Sequence, residues 1–182
     1  MKNPNLLGAG NWVFELSKGI ILLGVFFILM HFFVITVFVV EGASMEPNFQ
    51  NNNWVLANRL SYYFEDYQRG DVAIVKFPGD PEHKKYIKRL IGLPGEKITI
   101  KNGEVRINNV KLVESYLPLG TKTMPDLEMT LGQDDYFIMG DNRANSSDSR
   151  IWGTCVKSNF IGKVFFRIFP IQEMGLTEMA IY

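Results

Sequence analysis

The chain has 182 residues, 47% of them hydrophobic, and its 19 Lys and Arg are matched by 19 Asp and Glu. That length holds one ordinary domain with room for a small subdomain, and the balanced charge provides no basic field for nucleic acid. One cysteine, Cys155, excludes an internal disulfide framework and a thiolate metal cluster, and His31 and His83 stand too far apart for metal-ligand spacing.

Residues 1–18 read as a short N-terminal segment. Residues 19–40, G-I-I-L-L-G-V-F-F-I-L-M-H-F-F-V-I-T-V-F-V-V, contain no Asp, Glu, Lys or Arg. At about 1.5 Å per residue, a helix of that length spans the ~30 Å hydrocarbon core of a bilayer. A cleavable signal peptide has an apolar region of only about 7–15 residues, although Gly42, Ala43 and Ser44 after the run do imitate a cleavage site. Lys2 and Lys18 before the run and Glu41 after it predict a cytoplasmic N-terminus. His31 falls mid-span, where a neutral imidazole is tolerated as a bystander or as a functional group.

After Val40 the texture becomes β. W-V-L-A-N, D-V-A-I-V-K-F, Y-I-K-R-L-I, K-I-T-I-K, E-V-R-I-N, D-Y-F-I-M and K-V-F-F-R-I-F are short runs of β-branched and aromatic residues bounded by Gly, Pro, Asn and Asp. Asn102-Gly103 joins two of them, and a type I′ turn, with φ > 0 at both positions, favours that pair. Asn108-Asn109 suggests a second turn. The more polar, turn-rich stretch 98–132 reads as a small subdomain inserted in a core built from 41–97 and 133–182. The cluster S-Y-Y-F-E-D-Y, residues 61–67, is either a packed surface loop or an interfacial contact, since Tyr rings settle at headgroup depth. The expectation is a mostly β protein preceded by one transmembrane helix.

Ser44 follows directly on the apolar run. A serine hydroxyl is a poor nucleophile until a base takes its proton. His83 is one candidate base, with Asp71, Asp141 or Asp148 to orient it. Lys88 is another: in a strand it shares a face with Tyr86 and Leu90, and desolvation there would lower its pKa and supply a free amine near neutral pH. Each residue alone also has a plain reading, Ser44 as a loop hydroxyl and Lys88 as a snorkelling surface lysine. Asp134, Asp135, Asp141 and Asp148 lack the alternating-ligand loop of a calcium site, so no metal is expected.

Four blocks decide among these readings. S-M-x-P after the apolar segment, R-G-D-V, Y-I-K-R-x-I-G-L-P-G and G-D-N-R-x-x-S-x-D-S-R occur in that order between Gly19 and about Pro170. Together they resemble the type I signal peptidases of bacteria. The resemblance implies a coiled antiparallel β-sheet catalytic domain and a Ser-Lys dyad, which displaces His83. Ser44 would be the nucleophile and Lys88 the general base. Ser146 would hydrogen-bond and orient the Lys88 amine, and Asp148 would hold that neighbourhood together with Arg143 or Arg150. The Ser44 backbone N–H would be one oxyanion donor. Asp141 and Asn142 would shape the turn without a catalytic role.

The implied activity is removal of signal peptides from exported pre-proteins, at the cell membrane, by an extracytoplasmic domain. It needs no cofactor, and its partners are signal peptides, the bilayer and, by proximity, the export machinery. Two departures stand out. Some members carry a serine two residues before the nucleophile as the second oxyanion donor, where this chain has Gly42. The usual S-M-x-P-T ends here in Asn48.

Overall fold

The computed structural model describes residues 4–61, 66–77, 79–80, 82 and 84–177. His83 and residues 62–65 of the aromatic cluster lie outside the described residues, as does the side chain of His31. The chain divides into two compact units, Met1–Ile35 and Thr36–Tyr182.

The first unit is one helix, α1 (Pro4–Phe33). Its stretch Asn11–Met30 has a mean hydropathy of 2.1 and is a candidate membrane span. The helix differs from the expected 19–40 at both ends. It begins well before Gly19, and the final part of the apolar run is a strand, β1 (Ile35–Val39). The reason lies in I-T-V-F-V, where β-branched side chains stiff at χ1 favour the pleated backbone. An uninterrupted apolar run hides such a change of period.

The second unit is mostly antiparallel β. β2 (Trp54–Asn58), β3 (Val72–Lys76), β4 (Lys85–Gly92), β9 (Asp135–Met139), β10 (Cys155–Val156), β11 (Phe160–Phe169) and β12 (Gly175–Leu176) join β1 in one sheet of order β1-β2-β11-β3-β4-β9-β10, with β12 also on β11. β5 (Lys97–Lys101), β6 (Glu104–Ile107), β7 (Val110–Lys111) and β8 (Leu127–Thr130) form a second sheet of order β7-β6-β5-β8. The hairpins form where expected: φ is +55° at Asn102 and +85° at Gly103, and positive also at Asn108 and Asn109.

The larger sheet carries apolar cover on both faces. Val72, Ile74 and Ile87 pack with Val40, Met45 and Phe49, whereas Ala73, Val75 and Leu90 pack with Tyr67, Ile138 and Cys155. That is why β3 reads as a continuous apolar run rather than an alternation. The second sheet shares a core with the first through Ile91, Ile98, Ile100, Phe137 and Met139. Gly92 permits this contact, because a Cβ there would stand 2.5 Å from the Ile98 side chain and 2.9 Å from Phe137.

Candidate active site

β4 alternates its side chains across the sheet, as any strand must. Lys88 therefore shares a face with Tyr86 and Leu90, and its cross-strand partner on β3 is Ala73. It is only 1% exposed. Among the described residues no carboxylate lies within ion-pair distance of it. Burial pushes the amine down to about 8; Asp148 and Asp141 pull it upward and Arg150 pushes it further down. An amine in that range is partly neutral at physiological pH.

Lys88 Nζ lies 2.7 Å from Ser44 Oγ. When charged, the amine donates to the hydroxyl oxygen; when neutral, its lone pair can accept the hydroxyl proton. Ser44 belongs to the turn between β1 and β2, which its neighbours clamp from several sides. The Asn142 backbone N–H donates to Ser44 O at 3.0 Å, and Asn142 Nδ2 donates to Ala43 O, also at 3.0 Å. Asn48 Nδ2 donates to Asp141 Oδ2 at 2.8 Å and to Tyr116 O at 2.9 Å. Met45 and Phe49 bury themselves in the core beneath the turn. A cleft of about 590 Å³ opens beside Ser44, lined by Phe38, Gly42, Tyr86 and Ile87 among others.

Arg89 leaves β4 on the opposite face and is 2% exposed. Its Nε and NH2 donate to the two oxygens of Asp141 at 2.8 and 2.7 Å, and its NH1 donates to Gly70 O of the R-G-D-V block. A buried guanidinium cannot shed its charge, so it requires such a partner.

The G-D-N-R-x-x-S-x-D-S-R block is brought together around β9 and α2 (Ser149–Trp152). Asp148 caps α2, accepting from Arg150 N, and is gripped by Arg150 Nε and NH2 at 2.8 Å each and by the Gly140 N–H at 2.9 Å. Burial alone would raise its pKa. The bonds from Arg150 and Gly140 outweigh that and hold the carboxyl below its ordinary value. Arg150 also donates to Arg143 O and Met124 O.

Of the two arginines expected as alternatives beside Asp148, Arg150 is the one that pairs with it, while the bond expected of Ser146 meets a different arrangement. Arg143 does not pair with Asp148. It donates to Glu114, Thr123 and Tyr116, tying the turn to the segment between β7 and β8. Ser146 Oγ is buried and makes no hydrogen bond to Lys88; it lies against Asp148 and helps hold that carboxyl below its ordinary pKa.

Gly42 adopts φ +84° and donates its N–H to Asn51 Oδ1 at 2.9 Å, so that group is occupied. The Ser44 N–H has no partner among the described residues. Gly140 is the closest approach in the site. A Cβ there would stand 2.2 Å from Ser146 Oγ and 2.3 Å from Ser44 O.

Sequence reasoning missed the Arg89–Asp141 pair, the double grip of Asn142 and the anchorage of Asn48. For Arg89 a signal existed: period two puts it on the face opposite Lys88, inside a run of buried apolar residues, where a cation needs a carboxylate.

Comparison with known proteins shows the family. Residues 13–169 match the family model described as signal peptidase, peptidase S26. A signal peptidase I of Bacillus amyloliquefaciens is 35% identical, over 91% of this chain and 93% of its own length. Signal peptidase I S of Bacillus subtilis (strain 168) is also 35% identical, over 91% and 94%. A probable signal peptidase I-2 of Synechocystis sp. is 32% identical, over 89% and 76%. The crystal structure of a signal peptidase I from Enterococcus faecalis V583, 29% identical, covers 54% of this chain and 96% of that chain with a TM-score of 0.48. With most of its length matched in both directions, the chain belongs to the signal peptidase family, peptidase S26.

Proposed function

We propose that this peptidase cleaves the signal peptides of exported pre-proteins with Ser44 as nucleophile and Lys88 as general base. The observation that carries the reading is the 2.7 Å contact between Ser44 Oγ and a buried amine whose pKa is lowered to about 8. Neutral Lys88 takes the hydroxyl proton as Ser44 Oγ bonds to the scissile carbonyl carbon. The resulting oxyanion is stabilised by the Ser44 N–H. The Lys88 ammonium then returns the proton to the leaving amine as the peptide bond breaks. Water then bonds to the acyl carbon as the same amine takes its proton, and the Lys88 ammonium returns that proton to Ser44 Oγ as the ester bond breaks.

Asp148 and Arg150 support the dyad through their fields at Lys88 rather than by contact with it. Ser146, whose buried hydroxyl lies against Asp148, is the group expected to bond the Lys88 amine once that amine moves or changes protonation. Arg143 acts at a distance, fixing the turn to the second sheet. We assign 41–97 and 133–182, together with β1, to the catalytic core and 98–132 to an inserted sheet.

The same reading makes Asn11–Met30 a membrane anchor with its N-terminus in the cytoplasm, the catalytic unit on the other side and the export machinery near at hand. Lys2 before the anchor and Glu41 after it support that orientation.

Cleavage of a labelled signal-peptide substrate in detergent tests the dyad. Ser44→Ala and Lys88→Met should each reduce kcat/KM by about 10⁴-fold or more, while His83→Ala should leave it unchanged. The wild-type rate should rise with pH through an apparent pKa of about 8. Full activity in Lys88→Met would sink the dyad, and loss of activity in His83→Ala would restore the histidine alternative.

A further inference from the structure

The oxyanion donor of this site is a backbone N–H, and a backbone donor is aimed by whatever fixes its peptide plane. In a trans peptide the C=O of one residue and the N–H of the next point in opposite directions. The Ala43 carbonyl is held by Asn142 Nδ2 at 3.0 Å, and secondarily by the Glu46 N–H at 3.3 Å. The next carbonyl, Ser44 O, is held at 3.0 Å by the backbone N–H of the same Asn142. Both peptide planes flanking the Ser44 Cα are therefore gripped by one residue of the turn after β9. The N–H that opposes the Ala43 carbonyl is that of Ser44, which has no partner among the described residues.

Gly42 cannot share this duty through its own N–H, which is committed to Asn51 Oδ1. It has no side chain to offer either.

We propose that Asn142 is a positioning residue for the oxyanion donor: by holding Ala43 O through its side-chain amide, it turns the Ser44 N–H toward the reacting carbonyl oxygen. The inference rests on the reading of Ser44 as nucleophile. It assigns to Asn142 an effect on the transition state, where negative charge develops on that oxygen, and little effect on the bound substrate. Asn142 touches no reacting atom. Its side chain acts entirely through the Ala43–Ser44 peptide.

The test is made on the full chain in detergent with Asn142→Asp, which keeps the shape and the backbone bond to Ser44 O but replaces the amide donor with an acceptor. Asn142→Ala, which removes the donor without adding charge, is the second variant and carries the measurement if the first does not fold. Two quantities are read. The first is kcat and KM for a signal-peptide substrate. The second is the affinity of a peptide aldehyde, whose carbonyl carbon is attacked by Ser44 Oγ while the hydroxyl proton passes to Lys88, leaving an oxyanion in the same place.

The expected result is a fall in kcat of about 10- to 100-fold with KM within twofold, and an equal fall in aldehyde affinity. A residue that merely braced the turn would lower the unfolding temperature and leave the kcat-to-KM split and the aldehyde affinity alone, and that result would overturn the inference. So would a change confined to KM. Ser44→Ala, run beside them, separates the two levels. If it is inactive while both Asn142 variants match wild type, only the role of Asn142 falls. If it is active, the nucleophile and the inference fall together.

Discussion

Two neighbouring cations on β4, Lys88 and Arg89, are buried to almost the same degree, on opposite faces of the strand. Arg89 faces Asp141, which meets it with both oxygens. Lys88 faces Ala73, Tyr86, Leu90 and a serine hydroxyl. The contrast separates two solutions to one electrostatic problem. Arg89 keeps its charge and is compensated by an ion pair. Lys88 has no such partner among the described residues, and its pKa falls instead. Burial by itself therefore says little about what a basic residue does; the carboxylate beside it, or the lack of one, decides.

The sharpest way to break this comparison is to remove one half of the compensated pair. Arg89→Met leaves the Asp141 carboxylate buried without its main partner, and should destabilise the fold by about 3–5 kcal/mol. Urea unfolding would measure it, and a loss under 1 kcal/mol would mean that Arg89 did not depend on its ion pair. Lys88→Met should act in the other direction. The folded pKa of about 8 lies below the ordinary 10.5, so between those values the unfolded chain binds more protons and wild-type stability rises with pH. Below pH 8 the cost of confining the charge is fully present. At about 1.4 kcal/mol per pH unit it amounts to roughly 3 kcal/mol. The variant should be more stable than wild type by up to that amount at pH 7, with the gain fading from about pH 8 and gone above 10.5. Equal stability at pH 7 would remove the claim that desolvation lowers the amine.

The smallest effect is a control on the distant sheet. Gly103→Ala places a side chain at φ +85° in the β5–β6 turn and should cost about 1 kcal/mol of stability. The pH profile and kcat should not move. A change in either would show that the second sheet feeds into the dyad more strongly than Arg143 and Glu114 alone would carry.

Much of this was legible in the chain itself because strands and tight turns are local. K-I-T-I-K, N-G and E-V-R-I-N specify a hairpin within twelve residues, and the hairpin forms there. The β1 strand was not legible, because a strand without polar residues looks like the continuation of an apolar helix. The pairing of Lys88 with Ser44 came from resemblance, not pattern, since 44 residues separate them and only the sheet brings them together. The partners of Arg143 were unreadable for a similar reason: Glu114 lies in an irregular segment whose path depends on how the second sheet docks. The blocks predict a bond from Ser146 to the Lys88 amine, yet that amine meets Ser44 and the Ser146 hydroxyl lies against Asp148. A short side chain on a turn has its direction set by the backbone of the neighbouring strand, which single-sequence reasoning does not supply.

Gly140 adds a constraint of another kind. At that position the chain of the turn runs against Ser44 O on one side and the Ser146 hydroxyl on the other, nearer than any side-chain carbon could allow. Ser44 is thus registered against bare backbone, with no intervening group to flex or be exchanged. Any other amino acid at 140 would have to push the two serines apart before it could fit. The spacing of these two segments is held to a tolerance smaller than a methyl group.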